Sequence, residues 1–523
     1  MASLVPTAHM LTLTVPLINV GRRLMYIPPE GMVLVLNGGG MRRLVGTAAV
    51  LMACVWVSLS GQPGPGAAID GRVARIEQGL LPGLLVAGQP PSGMRLAERM
   101  TFYATPGVSV AVINGGVVEW ARGYGVAEAG SPTPITPHTR FQAASISKPV
   151  SVLGALLLVS QGRLSLDAPV NARLVSWKVP DNEFTAKAPV TLRRLLSHTA
   201  GLTVHGFGGY PADAPVPTLV QVLDGTKPAN SAAIRVDVLP GTLSRYSGGG
   251  YIVAQQLMID VSGKSFPALM SDLVLRPLGM TDSTYEQPLP AALAAQAASA
   301  HGSSGTPIPG RYHTYPEMAA AGLWTTPTDL AKFEMELQRA LAGTSNVIPA
   351  ATAREMTTNV MDNYGLGLSL SGTGSDARFG HGGSNEGFRC QMTAFISGGR
   401  GAVVMTNGDR GAPLASEILR AIAREYGWPA FRPVEKPLVR LDPAALAAFE
   451  GRYELAPGHI LEVRVVEGKP FMIDGAERVE LHAESASKFF ELEEENSFEF
   501  VKGADGTVAQ MVINGTVKVP RIR

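Results

Sequence analysis

The sequence predicts an α/β domain, with an antiparallel sheet, flanking helices and an inserted, mostly helical region, followed by a small C-terminal β domain. Apolar β patterns occur at residues 108–120 and return at 388–405, with helical patterns between them. Residues 441–523 carry a separate series of short β patterns. Strands from both ends of the larger domain are therefore expected to share one sheet, with a cleft where the helical region meets it.

The composition indicates a globular protein without a charged partner. The 523 residues are 46% hydrophobic and 17% charged, and the formal net charge is +1. This balance lacks the basic excess of nucleic-acid-binding proteins and the high charge of disordered chains. The nine histidines show no metal-site spacing, and Cys54 and Cys390 form no C-x-x-C pair. We therefore expect no nucleic-acid partner, metal, cofactor or disulfide.

Residues 1–68 are predicted to be an N-terminal extension with an export signal at about 41–61. Two arginines follow Met41, residues 44–59 are apolar and uncharged, and small or turn-forming residues follow. Residues 1–40 precede a complete signal and are interpreted as extra translation. The order of basic, apolar and small residues in the export signal predicts a periplasmic or secreted protein. The alternative is a membrane tether through residues 44–59, because the apolar run approaches the length that spans a bilayer.

The main domain is predicted over residues 69–427, with a linker at 428–440 and the β domain at 441–523. Asn114-Gly115-Gly116 separates two short apolar strands and predicts a β-hairpin. Helix start and stop signals, long apolar runs and β-rich runs predict the other elements. These are helices at 145–160, 249–262, 327–341 and 414–426, and strands at 388–396 and 401–405.

Ser145 and Lys148 form an S-x-x-K pattern at the start of an apolar helical segment. Residues three apart share one helix face, so the two side chains are expected to touch. A hydroxyl becomes a good nucleophile when a neighbouring base takes its proton. Burial and the helix dipole lower the pKa of a lysine, so that its uncharged form is able to accept the proton of the serine. Pro149 in the first turn loses no hydrogen bond, which agrees with a helix starting near Ser145.

Two later segments extend this pattern in chain order: Tyr246 is followed two residues later by Gly248, and residues 381–384 read His-Gly-Gly-Ser. Together with S-x-x-K they resemble the Y-x-N and K-T-G motifs of the class C β-lactamase-like serine hydrolases. That family, in the penicillin-binding-protein superfamily, includes family VIII carboxylesterases and D-stereospecific peptidases. Gly248 stands where the family has Asn, and His381 where it has Lys. The resemblance covers about residues 100–427.

The resemblance implies a β-lactamase/transpeptidase-like fold and a covalent acyl-enzyme mechanism. Ser145 is expected to attack the carbonyl carbon, with either Lys148 alone or the pair of Lys148 and Tyr246 accepting its proton. Tyr246 then protonates the leaving group and activates the water that hydrolyses the acyl-enzyme. The C-terminal β domain resembles a lipocalin-like appendage of such hydrolases.

The same resemblance implies the substrate-binding groups. The backbone N–H groups of Ser145 and Ser384 are expected to form the oxyanion hole, and His381, Gly382 and Gly383 to bind substrate. The role of His381 stays open. It steers a substrate carboxylate if protonated, tunes Tyr246 through a hydrogen bond, or remains neutral and closes a hydrogen bond in its own strand.

These residues predict a serine hydrolase that cleaves an amide or ester bond, a β-lactam or a carboxylic ester, in a small-molecule substrate. Gly248 and His381 argue against a strict β-lactamase. The alternatives are a D-stereospecific peptidase or DD-carboxypeptidase, and a penicillin-binding sensor that deacylates slowly. The chain has no G-x-S-x-G motif, which disfavours the nucleophile elbow of an α/β-hydrolase. His198 is interpreted as a residue that satisfies loop backbone.

Overall fold

A computed structural model describes residues 65–456, 458–492 and 495–522, and the backbone of two short strands, β1 (Ile18–Val20) and β2 (Arg23–Met25), which pair antiparallel. The chain divides into two compact units, 1–64 and 65–523. The predicted export signal and tether lie outside the described residues. In the part of the chain that the structure describes, no helix is long and apolar enough to cross a membrane.

The larger domain is built on a six-stranded antiparallel sheet. Its strands, with three short ones beside it, are β3 (Leu84–Val86), β4 (Gly107–Asn114), β5 (Val117–Gly125), β6 (Phe141–Gln142), β7 (Trp324–Thr325), β8 (Ser369–Ser371), β9 (Arg378–Asn385), β10 (Phe388–Phe395) and β11 (Gly401–Thr406). The order in the sheet is β5-β4-β11-β10-β9-β8. Early and late strands meet where β11 pairs with β4, which confirms the predicted sharing of one sheet.

The predicted hairpin joins β4 to β5 through a two-residue loop. Gly115 and Gly116 have φ values of 60° and 77°, the left-handed conformation that this tight turn requires. Both faces of β4 are buried. Val108, Val110 and Val112 pack in the core on one face, and Ala111 and Ile113 pack in the core on the other. The central sheet is therefore covered on both sides.

Helices cover the sheet and form the inserted region. They are α1 (Pro65–Glu77), α2 (Leu96–Phe102), α3 (Ser147–Ser160), α4 (Leu192–Leu196), α5 (Leu219–Asp224), α6 (Gly248–Ser262), α7 (Phe266–Met270), α8 (Ala291–Ala294), α9 (Met318–Ala321), α10 (Pro327–Leu341), α11 (Ala350–Thr357) and α12 (Gly411–Glu425). Helix α12 packs with α1 on one face of the sheet, whereas α10 packs against β4, β5 and β11. The predicted fold class is confirmed.

The C-terminal part is a nearly closed antiparallel sheet. After β12 (Val434–Lys436) and α13 (Pro443–Ala447) come β13 (Gly451–Ala456), β14 (His459–Val466), β15 (Lys469–Asp474), β16 (Glu477–Glu480), β17 (His482–Ala483), β18 (Lys488–Phe490), β19 (Ser497–Lys502), β20 (Val508–Ile513) and β21 (Val517–Ile522). Strand β13 pairs with β14 and with the last strand, β21. Phe449, Phe489 and Phe500 meet inside, with ring centroids 4.8–5.3 Å apart.

The segment predicted as a linker contains a strand. Strand β12 pairs in parallel with β3, and Lys436 forms an ion pair of 2.7 Å with Glu484 of the β domain. Arg420 on α12 also pairs with Glu495, at 2.8 Å. The β domain is therefore bound to the larger domain through hydrogen bonds and two ion pairs.

Candidate active site

Ser145 lies in a single 3₁₀ turn (Ala144–Ile146) that leads into α3. The hydroxyl of Ser147 donates to the Ala144 carbonyl at 2.5 Å and accepts from the N–H of Leu323 at 2.9 Å. Ala144 has a φ of 50°, a left-handed conformation that is unfavourable for a residue with a Cβ. These contacts hold the turn that presents the partly exposed Ser145 to the cleft.

The ammonium nitrogen of Lys148 lies beside Ser145. Nζ is 2.9 Å from Ser145 Oγ and 3.0 Å from the carbonyl oxygen of Ala320 in α9. The side chain is buried, and burial lowers its pKa from 10.5 to about 7 because the charged form loses its hydration. Near neutral pH, Lys148 therefore has a large uncharged fraction that is able to accept a proton from Ser145.

Tyr246 lies two residues before the start of α6, and its ring lies between basic side chains. Lys148 Nζ is 4.9 Å from the ring centroid, and the rings of His198 and His205 are 4.2 and 4.9 Å away. Burial raises the pKa of Tyr246 to about 12, against an opposing interaction with Ser145. The phenol therefore keeps its proton at ordinary pH, which suits it to donate a proton or relay one.

His198 supports Tyr246 from the buried side. Its Nδ1 accepts a hydrogen bond of 3.1 Å from the backbone N–H of Ser247, which agrees with the interpretation that it satisfies backbone. Nδ1 is therefore unprotonated. Burial, with Lys148 and His381 nearby, lowers the pKa of His198 well below its usual value. The residue is a neutral, packed contact of the tyrosine.

Strand β9 carries residues 381–384 past the serine turn. A Cβ on Gly383 would lie 2.2 Å from the carbonyl oxygen of Ala143, so only glycine permits this approach. His381 is buried. Its Nδ1 is 2.6 Å from the Gly382 carbonyl oxygen, and its Nε2 is 3.2 Å from the hydroxyl of Tyr364. Burial lowers its pKa to about 4, so the imidazole is neutral, with the proton on Nδ1.

These groups meet at a cavity of about 680 Å³. It is lined by six of the seven predicted site residues and by residues of four other segments. The predicted ones are Ser145, Lys148, Tyr246, Gly382, Gly383 and Ser384, and the others include His205, Phe207, Ala320 and Arg389. The seventh, His381, is not among the lining residues. Its contacts are those of the neutral histidine that closes hydrogen bonds, one of the three roles left open.

Three contributors to this arrangement escaped sequence reasoning: the carbonyl of Ala320, the hydroxyl of Tyr364 and the loop with Phe207. None belongs to a motif, and each lies in a segment distant in sequence from residues 145–148. Among the described residues, no cluster of His, Cys, Asp and Glu is arranged to hold a metal ion.

Comparison with known proteins identifies the family. The family model described as Beta-lactamase matches residues 95–426. The chain belongs to the β-lactamase family. The predicted family and the predicted enzyme class, a serine hydrolase, are confirmed. The catalytic role of each residue remains a prediction.

Individual relatives agree with this assignment. Penicillin-binding protein 4 of Amycolatopsis lactamdurans is 27% identical over 68% of this chain and 95% of its own length. Esterase EstB of Burkholderia gladioli is 29% identical over 34% of this chain and 47% of its own length. The octameric penicillin-binding protein homologue from Pyrococcus abyssi aligns with a TM-score of 0.57 and 22% identity, covering 82% of this chain and 98% of that one. This last likeness supports the fold.

Proposed function

We propose that this serine hydrolase cleaves uncharged carboxylic esters or small amides through an acyl-enzyme on Ser145. The observation that carries the proposal is the state of His381, which stands where the family has Lys. Its imidazole is neutral and both ring nitrogens are engaged, so it offers no positive charge to a substrate carboxylate. Esterase EstB, a relative over part of the chain, is consistent with this substrate class.

A second basic group at the cavity is also neutralised. Arg389 lies on β10, and its Nη2 is 2.8 Å from a carboxylate oxygen of Asp409. The other terminal nitrogen donates to the carbonyls of Asn385 and Phe388. The guanidinium therefore holds the β9–β10 turn rather than offering a free charge to the substrate. A β-lactam bears a carboxylate, to which neither His381 nor Arg389 offers a free positive charge, whereas an ester needs none.

The proposed acylation step uses the contacts at Ser145. Uncharged Lys148 takes the proton from Oγ, and Oγ forms a bond to the carbonyl carbon. The backbone N–H groups of Ser145 and Ser384 stabilise the oxyanion, typically by about 3 kcal/mol for each donor. Tyr246 gives its proton to the leaving oxygen or nitrogen and regains one from Lys148. The products are the acyl-serine and the alcohol or amine, with the lysine uncharged again.

Deacylation reverses the proton path with water as the nucleophile. Lys148 accepts the water proton through Tyr246, the hydroxide attacks the acyl carbonyl, and Ser145 Oγ leaves with a proton. We assign Lys148 as the base because its pKa of about 7 matches the operating pH, whereas that of Tyr246 is raised to about 12.

The test compares p-nitrophenyl butyrate with nitrocefin on the purified protein. We expect a higher kcat/KM for the ester, no turnover of either substrate by Ser145→Ala, and a transient mass increase equal to the acyl group. The mutant also measures hydrolysis by contaminants. Turnover of nitrocefin ahead of the ester would refute the uncharged-substrate proposal. A stable acyl adduct without turnover would support the slowly deacylating sensor instead.

We also propose that the protein is exported through residues 41–61, which agree with an export signal in residue order. The intact mass of protein recovered from the periplasmic fraction tests this. A mass that corresponds to a chain beginning after residue 60 supports a cleaved signal. Protein that retains residues 44–59 and pellets with membranes supports the tether.

A further inference from the structure

Gly248 lies beneath a loop that approaches the first turn of α6. The N–H of Gly248 donates to the carbonyl of His205 at 2.9 Å, and the N–H of Gly249 donates to the carbonyl of Val204 at 3.0 Å. Val204 has a φ of 65°, so its backbone is in the left-handed region. The loop is therefore fixed to the helix at the position where the family's Y-x-N motif has Asn.

The loop crowds the space that a side chain at position 248 would enter. A Cβ there would lie 2.9 Å from Cε2 of Phe207 and 3.1 Å from the carbonyl oxygen of His205. Contacts below 3.0 Å require a neighbour to move, and here the ring is the closer neighbour. Phe207 itself is half-buried, packs against the main core and lines the cavity that contains Ser145. Gly248 and Phe207 are therefore matched to each other.

We propose that Phe207 is a specificity-determining residue that makes this side of the cavity apolar and selects an apolar acyl group. Its ring occupies space that an Asn side chain at position 248 would need. An acyl chain beside the ring buries hydrocarbon against hydrocarbon, whereas a polar acyl group finds no hydrogen-bond partner on the ring. This inference rests on the proposed ester hydrolysis and names the acyl side of its substrate.

The first test measures kcat/KM for p-nitrophenyl acetate and p-nitrophenyl butyrate. We expect Phe207→Ala to lower the butyrate-to-acetate ratio by roughly tenfold, because the longer chain loses its apolar contact. Phe184→Ala is the matched control: Phe184 is also half-buried on the main core but does not line the cavity. It should leave the ratio unchanged. Equal losses for both esters with Phe207→Ala would overturn the proposal.

The second test is a double-mutant cycle between positions 207 and 248. We expect Gly248→Asn alone to lower kcat/KM for p-nitrophenyl acetate at least tenfold, because the ring obstructs the new side chain. In Phe207→Ala, where only the contact with the His205 carbonyl remains, the same Asn should cost at least threefold less than in wild type, which gives a coupling outside additivity. Additive effects would show that the two positions do not share space. Gly248→Ala serves the same cycle if the Asn variant does not fold.

These outcomes are distinguishable from failure of the proposed function itself. If the wild-type protein hydrolyses neither ester, the ester proposal fails and no ratio is defined. If it hydrolyses both and the ratio is insensitive to Phe207→Ala, ester hydrolysis stands and the assignment of Phe207 is wrong.

Discussion

Replacing Lys148 with Met should abolish hydrolysis and stabilise the fold. Methionine has a similar length and no charge, so it fills the same buried space. The wild-type lysine is buried beside Ser145, and burial lowers its pKa from 10.5 to about 7. The unfolded chain binds a proton on this amine, whereas the folded chain does not. Because proton binding then favours the unfolded chain, the free energy of unfolding is lowered.

The magnitude follows from the difference in proton binding. Between pH 7 and 10.5 the unfolded chain binds the lysine proton and the folded chain does not, so the free energy of unfolding rises with pH across that range. At pH 7.5 the linked cost of the lysine is about 4 kcal/mol, and at pH 9 it falls to about 2 kcal/mol. Methionine avoids this cost but loses two hydrogen bonds, worth about 1 kcal/mol each.

The free energy of unfolding of Lys148→Met should therefore be about 2 kcal/mol higher than that of wild type at pH 7.5. At pH 9 the two free energies of unfolding should be about equal. Urea unfolding at the two pH values measures both differences. The matched control is Lys264→Met, because Lys264 is exposed and pairs with Asp272 at the surface. It should change stability by less than about 0.5 kcal/mol at either pH.

A result that refutes this reasoning is a Lys148→Met variant less stable than wild type by the same amount at pH 7.5 and pH 9. The lysine would then be charged in the folded site, and a base other than Lys148 would be needed. In wild type, the expected companion result is an acid limb in kcat/KM near pH 7. Activity should fall as pH decreases through that value, because protonated Lys148 cannot accept the Ser145 proton.

Three other substitutions test neighbouring contacts. Tyr246→Phe should lower kcat/KM, which reports acylation, by about 10²–10⁴ for an alkyl ester and by less for a p-nitrophenyl ester, whose leaving group needs no proton; steady-state kinetics on both substrates measures this. His198→Ala leaves the N–H of Ser247 without its acceptor and should cost about 1–3 kcal/mol in urea unfolding, with partial recovery in His198→Asn. Arg420→Met removes the ion pair to Glu495 and should speed limited proteolysis before the β domain, with unchanged ester hydrolysis in the uncut protein.

Local patterns predicted several elements of the fold and one contact of the site. Helix α10 has the predicted bounds, with Pro327 at its first position and the Thr326 hydroxyl accepting from the N–H of Asp329. The contact between Ser145 and Lys148 follows from helical spacing. Alternation of apolar residues and the turn at Asn114-Gly115-Gly116 predicted β4 and its pairing with β5. Each of these depends on residues close together in sequence.

Residue types at short spacing were enough to predict the family, the order of the motifs and the side chains able to perform acyl transfer. The protonation states of those side chains depend instead on packing between distant segments. Burial, summed over several segments, fixes the pKa values of Lys148 and His381. Gly248 lies against Phe207. The two residues are 41 positions apart in the chain, and no local pattern indicates that they are in contact. Such contacts depend on how loops cross the cleft, and only packing sets that path.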